Sequence, residues 1–180
     1  VLFLEAPGSG ADQCASLLKK VNKPWVVISG PQEYETKGEQ LVEMSRDGVI
    51  FFRDIGTLEK PQQLDLLARW ENLKEAGVRV VASSTTRLGG LVSKDQFEIR
   101  LYELMSETIV NVPPLKDRID DVIEISKSVL FEKYPAKSFS VAALNTLRSY
   151  DWPANLSQLS AAVLSSAQFS VGEEIGVSDL

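Results

Sequence analysis

The sequence has no histidine and a single cysteine, Cys14. A zinc site draws on Cys and His, and a Ser-His-Asp triad needs an imidazole base, so both chemistries lack their residues; one thiol cannot close an internal disulfide. No apolar run approaches the roughly 18 residues that a membrane-spanning helix requires. Positive charge is also scarce: 19 Lys and Arg stand against 25 Asp and Glu, for a net charge of -6. That balance gives no electrostatic means of holding a phosphate backbone, so direct DNA binding by these residues is not expected. Neither an initiator Met nor a basic leader precedes the run Val1-Leu2-Phe3-Leu4. The opening does not read as a signal peptide; it reads as a piece of a longer, cytoplasmic protein.

What is present is an ordinary globular composition, 44% apolar and 24% charged over 180 residues, enough to bury a core. Short β-rich apolar runs alternate with stretches of helical period, which predicts an α/β fold with a parallel sheet and crossover helices. The predicted strands are 1–4, 25–29, 48–52, 78–83 and 108–112. Helices are expected at 12–20, at 61–76 with Leu64, Leu67, Ala68 and Leu73 on the buried side, and at 93–105. The polar stretch 30–46 has room for one short helix around 39–44. After Pro113-Pro114 no strand-like run is evident, and three helices follow at 117–134, 140–150 and 155–169, with Ser140 and Asn155 as N-caps. The expected division is an α/β core over 1–113 and a small helical subdomain over 114–180.

Two places have the layout of phosphate chemistry. The first is the strand-to-helix loop Glu5-Ala6-Pro7-Gly8-Ser9-Gly10-Ala11-Asp12, where backbone N–H groups would face an anion. Gly8, Ser9, Gly10, Ala11 and Asp12 are the candidate binding residues. A working loop of this kind has a leading glycine and a lysine where Glu5 and Ala11 stand, and a plain turn is the competing reading. The second is the buried run Gly48 to Phe52, which ends in Arg53-Asp54. A strand of this layout delivers a magnesium-binding acid, but Arg53 would repel the ion. Asp54 is the one candidate catalytic acid, with an ordinary surface Arg-Asp pair as the alternative. No metal ligand set is evident. Cys14, Trp70 and Trp152 read as packing residues before they read as a redox sensor or a ligand box.

Further along, Val78 to Ser84, Phe97 to Tyr102, Val112-Pro113-Pro114-Leu115-Lys116-Asp117-Arg118 and Tyr150-Asp151-Trp152-Pro153-Ala154-Asn155-Leu156 occur in a fixed order. With the two sites above, this series resembles the central AAA+ domain of sigma-54-dependent transcription activators of the NtrC type, along nearly the whole chain. The resemblance implies a P-loop AAA+ three-layer α/β/α sheet followed by a small helical lid. It also implies that the loop lysine falls on Ala11, the metal Asp on Arg53, the catalytic Glu on Asp54 and the polar sensor near Thr85. The two arginines offered to a neighbouring subunit fall on Glu98 and Leu104, with Arg100 out of register, and the sensing arginine falls on Ser157. The family's Gly-Ala-Phe-Thr-Gly-Ala loop, which touches the sigma factor, has no counterpart, since only 30–46 fills its place.

A transition-state arginine by itself is worth about 10³ to 10⁵ in rate, roughly 4 to 7 kcal/mol of barrier. With the lysine and metal acid also replaced, the expected function is a regulatory module of a bacterial transcription regulator, of the two-component response-regulator type. It would be a pseudo-ATPase that self-associates and couples a receiver or other sensory domain to a helix-turn-helix domain, without contact to sigma-54 polymerase. No resident cofactor is expected. Two alternatives stay open: a switch that binds ATP or ADP without hydrolysis, its backbone nest held by Gly8 and Gly10 with Arg53 or Lys19 offsetting Glu5 and Asp12, and a weak ATPase built on Asp54.

Overall fold

Val49, Ile50, Phe51 and Phe52 follow one another with no polar residue between them, and a strand can bury such a run only if both faces are covered. The computed structural model, which describes residues 1–180, shows how. β1 (Leu2–Glu5), β2 (Trp25–Ser29), β3 (Val49–Arg53), β4 (Arg79–Ser84) and β5 (Ile109–Val112) form one parallel sheet in the order β2-β3-β4-β1-β5. Successive side chains alternate between faces. Ile50 and Phe52 join one buried cluster with Leu2, Ile28 and Ala82; Val49 and Phe51 join a second with Phe3, Val81 and Val112.

Helix α1 (Ala11–Ser16) lays Ala11 and Ala15 on the second cluster. The first cluster is covered by α2 (Pro31–Lys37), α3 (Leu41–Ser45), α4 (Lys60–Ala68), α5 (Trp70–Glu75), α6 (Leu88–Val92) and α7 (Ile99–Met105) through Tyr34, Leu41, Leu66, Leu73, Leu88, Leu101 and Met105. The result is the expected three layers of helix, sheet and helix.

Several element boundaries differ from the sequence reading. The first helix stops at Ser16 rather than Lys20, because Leu17, Leu18 and Lys19 donate to the carbonyls three residues back and Asn22 takes a left-handed φ of 56°. Residues 30–46 are mostly helical. The helix expected over 61–76 is two, bent at Arg69, and its phase is shifted: Leu66 and Leu73 are buried, whereas Leu64 is 49% exposed and Ala68 faces out. Gln63 is buried in their place, donating to the Leu58 and Gln96 carbonyls and accepting from the Glu98 amide. The helix expected over 93–105 is broken by a turn at Asp95, whose φ is 54° and whose carboxylate pairs with Lys60.

The chain forms two compact units, one comprising Val1–Glu5 and Gly10–Val112, the other Ala6–Ser9 and Pro113–Leu180. Four residues of the glycine loop therefore group with the helical residues rather than with the sheet. In the second unit α8 (Ile119–Lys133), α9 (Val141–Ser149) and α10 (Asn155–Phe169) pack Val122, Leu130, Leu147, Leu159 and Val163 around Trp152. Trp152 Nε1 donates to the Leu147 carbonyl at 2.8 Å, and its ring meets Tyr150 edge-on. Ser140 caps α9 as expected, accepting from the Ala143 amide. Contrary to the sequence reading, strand pairing does occur here: β6 (Ser138–Phe139) and β7 (Glu174–Ile175) form a two-residue parallel ribbon with Ile175 buried, and two residues are too short to show a period.

Candidate functional site

Glu5 is the last residue of β1. Its carboxylate Oε2 accepts from the Gly10 amide at 3.0 Å and from the Ala11 amide at 2.9 Å. The first amides of a helix have no partner within it, and Gly10, at φ 115°, offers no side chain to cap them. Glu5 supplies the missing acceptor.

Asp12, one residue into α1, is held by Arg53 from the end of β3. Arg53 Nε reaches the two carboxylate oxygens at 3.1 and 3.0 Å, its Nη2 lies 3.0 Å from one of them, and Nη1 donates to Ser29 Oγ at 2.9 Å. Both charged groups are about half exposed, 50% and 46% of the side chain, which places the pair among surface bridges worth about 1 kcal/mol or less. The structure thus joins the candidate loop residue Asp12 to the cation at the end of the central strand.

Asp54 follows with a left-handed φ of 48°. Its amide donates to Ser83 Oγ at 3.1 Å, and its two carboxylate oxygens accept from the Thr85 amide and hydroxyl at 3.0 and 2.9 Å. The carboxylate that sequence reading offered as an acid is therefore turned to the end of β4, and Thr85 spends its donors on it. Lys19 points elsewhere, with its ammonium 5.1 Å from the Trp25 ring centre. Glu98 pairs with Lys60 at 3.4 Å.

In the second unit the loop is gripped by its carbonyls. Asn155 Nδ2 donates to the Pro7 carbonyl at 2.9 Å, the Leu156 amide to that of Gly8 at 2.9 Å, and Arg118 to that of Ser9. Asn155 Oδ1 also accepts from the Leu115 amide at 2.8 Å. Asn155 is therefore not the N-cap that the sequence suggested; it sits at φ 53°, a conformation that Asn tolerates better than most residues, and staples three segments. Gly8 has φ +76°, and a Cβ there would lie 2.8 Å from the Ala154 carbonyl oxygen, so no larger residue fits. Ser9 is fully buried. Sequence reasoning missed the loop-holding roles of Arg118, Asn155 and Leu156, and of Leu115, which holds Asn155; the signal was that the two most specific motifs, Pro-Pro-Leu-Lys-Asp-Arg and Tyr-Asp-Trp-Pro-Ala-Asn-Leu, supply all four.

Cys14 packs at the margin of the second sheet cluster, and Trp70 at the margin of the first. No helix of the chain is long and apolar enough to cross a membrane.

A five-stranded parallel sheet of this order, helices on both faces and a glycine loop between the first strand and first helix define the AAA+ class of α/β protein. The model of the sigma-54 interaction domain matches residues 1–115, and the chain belongs to that family. It is 28% identical over 197 residues to the alginate biosynthesis transcriptional regulatory protein AlgB of Pseudomonas aeruginosa, an alignment covering 88% of this chain and 44% of AlgB. With the anaerobic nitric oxide reductase transcription regulator NorR of Serratia proteamaculans it shares 28% identity over 152 residues, 73% of this chain and 30% of NorR. The chain thus spans less than half the length of these relatives. Among solved structures, NtrX of Brucella abortus in complex with ADP superposes with a TM-score of 0.82 at 17% identity, covering 99% of this chain and 48% of NtrX; its complex with ATP gives 0.80 at 18%.

Proposed function

We propose that this chain is a regulatory AAA+ module of a bacterial transcription regulator that does not hydrolyse ATP and that works through self-association and coupling of a sensory domain to a DNA-binding domain. The observation that carries the reading is Arg53. A guanidinium fixed on Asp12 and Ser29 stands where the family's magnesium carboxylate would be, and like charges repel. Around it, Asp54 has both oxygens on Thr85, and Glu5 lies on the amides that would face a phosphate. These residues do not fit a magnesium nucleotide poised for hydrolysis, since the two cations at the loop are already engaged, Arg53 on the Asp12 carboxylate and Arg118 on the Ser9 carbonyl, rather than set to neutralise a transferring phosphoryl group. Residues 30–46 support the absence of sigma-factor contact: Tyr34 Oη donates to Asp65 at 2.8 Å and Gln62 donates to the Pro31 carbonyl at 3.2 Å, which ties α2 down on α4.

The test is phosphate release from Mg-ATP by the purified chain. The expected result is no turnover above the protein-free blank, and a rate near that of ordinary phosphoryl-transfer enzymes, about 1 per second or more, would end the reading. Light scattering checks self-association, with a purely monomeric chain at all concentrations as the opposing result. A second reading, nucleotide binding without hydrolysis, is favoured by one observation: NtrX, of the same fold, has been solved with both ADP and ATP. Calorimetric titration with ADP separates the two, since a binding isotherm without phosphate release selects the switch.

A further inference from the structure

We infer that the Glu5 carboxylate is a built-in occupant of the glycine loop, an internal acid that takes the two backbone amides a phosphate would use and so keeps anions out. This rests on the non-hydrolysing reading of the same loop, and it names the group responsible. Three observations carry it. The acceptor distances to Gly10 and Ala11, 3.0 and 2.9 Å, are those of well-formed N–H···O hydrogen bonds, and one oxygen takes both amides. No Lys or Arg of the chain forms an ion pair with Glu5, so its charge is met by these amides. The other acid of the loop, Asp12, is by contrast neutralised by Arg53. Asp12 therefore needs nothing from the loop amides, and Glu5 has nothing else.

Glu5 also stands at the end of β1, at the entry to the loop. A residue without a side chain leaves the nest of amides open, and backbone nests can hold phosphates with no lysine. A carboxylate there, on a strand fixed by two neighbours, is a tethered anion that a free one must displace at the cost of leaving a charged group without its hydrogen bonds.

The experiment uses the whole chain and two readouts. Amide hydrogen exchange by NMR is followed at Gly10 and Ala11 in the wild type, Glu5→Ala and Glu5→Gln. Exchange at these two amides is expected to speed up by about 10- to 100-fold in Glu5→Ala, with Glu5→Gln, which keeps a neutral acceptor, falling between. Calorimetric titration with inorganic pyrophosphate is expected to show no binding to the wild type and millimolar binding to Glu5→Gly. Unchanged exchange at both amides in the variants, binding of pyrophosphate to the wild type, or no gain in Glu5→Gly would each overturn the inference. None of those results touches hydrolysis, and phosphate release by the wild type would sink the non-hydrolysing reading while leaving the exchange data to stand or fall separately.

Discussion

Phe51 and Phe52 in the middle of β3 are each 1% exposed, and Arg53, the next residue, holds half of its side chain in water. The floor of the sheet and its carboxyl edge are built from the same strands, yet different physics holds them. In the floor the alternation of faces puts each apolar side chain into one of two clusters, and burial of this kind contributes about 1.5 to 3 kcal/mol per large residue. At the edge the side chains are polar, partly solvated and tied in pairs: Glu5 to Gly10 and Ala11, Asp12 to Arg53, Asp54 to Thr85. The floor specifies the fold, and the edge is free to vary.

That contrast sets the order of expected effects. Phe51→Ala removes a buried ring stacked on Trp25 at 5.9 Å and should cost about 3 to 5 kcal/mol, read as a large fall in the urea midpoint; a shift no bigger than an edge substitution would erase the distinction. Asn155→Ala leaves the Leu115 amide and the Pro7 carbonyl without their partner and puts alanine at a left-handed φ, for about 2 to 4 kcal/mol by the same measurement. It is the one polar substitution expected to behave like a core substitution.

The clasp of Tyr34, Asp65 and Arg69 should show itself through pH. Burial, reinforced by the neighbouring Asp65, pushes the Tyr34 phenol well above its ordinary range, so its contribution is complete below about pH 10 and is lost as pH rises further. The Arg69 hydrogen bond holds Asp65 below the usual carboxylate range, so that contribution is present above about pH 4 and is lost as pH falls through the folded-state value. Thermal midpoints measured from acid to alkali should fall at both ends for the wild type. Tyr34→Phe should flatten the alkaline limb and Asp65→Asn the acid limb; limbs that survive the substitutions would show that other groups set them. Arg53→Ala should be the mildest change, about 1 kcal/mol or less in the same midpoint and smaller in high salt.

The strand set was legible because an apolar run bounded by turn residues needs only local information, and each of the five strands falls within one residue of its expected place. Helix boundaries were less legible for particular reasons. The phase of α4 depends on a buried Gln63 that bridges Leu58, Gln96 and Glu98, and no apolar count predicts a buried amide. Asp95 breaks a helical run by taking a positive φ that its type tolerates but does not announce. At the site, the residue types at the strand ends, Arg53 and Asp54 among them, were visible from the sequence. The partners were not: Arg53 and Asp12 are 41 residues apart, and Asn155 and Pro7 are 148 apart.

By itself, then, the order of residues determined the layered α/β architecture, the helical segment that follows it and the identity of the side chains at the strand ends. Hydrophobic period and turn chemistry act over a few residues, and a reader of the chain can see that far. Only the folded molecule decided which group answers which: that Glu5 caps α1, that Arg53 pairs with Asp12, and that the glycine loop hangs from Arg118, Asn155 and Leu156. Hydrogen bonds demand atoms within about 3 Å, and closure of the chain, not its sequence spacing, brings them there.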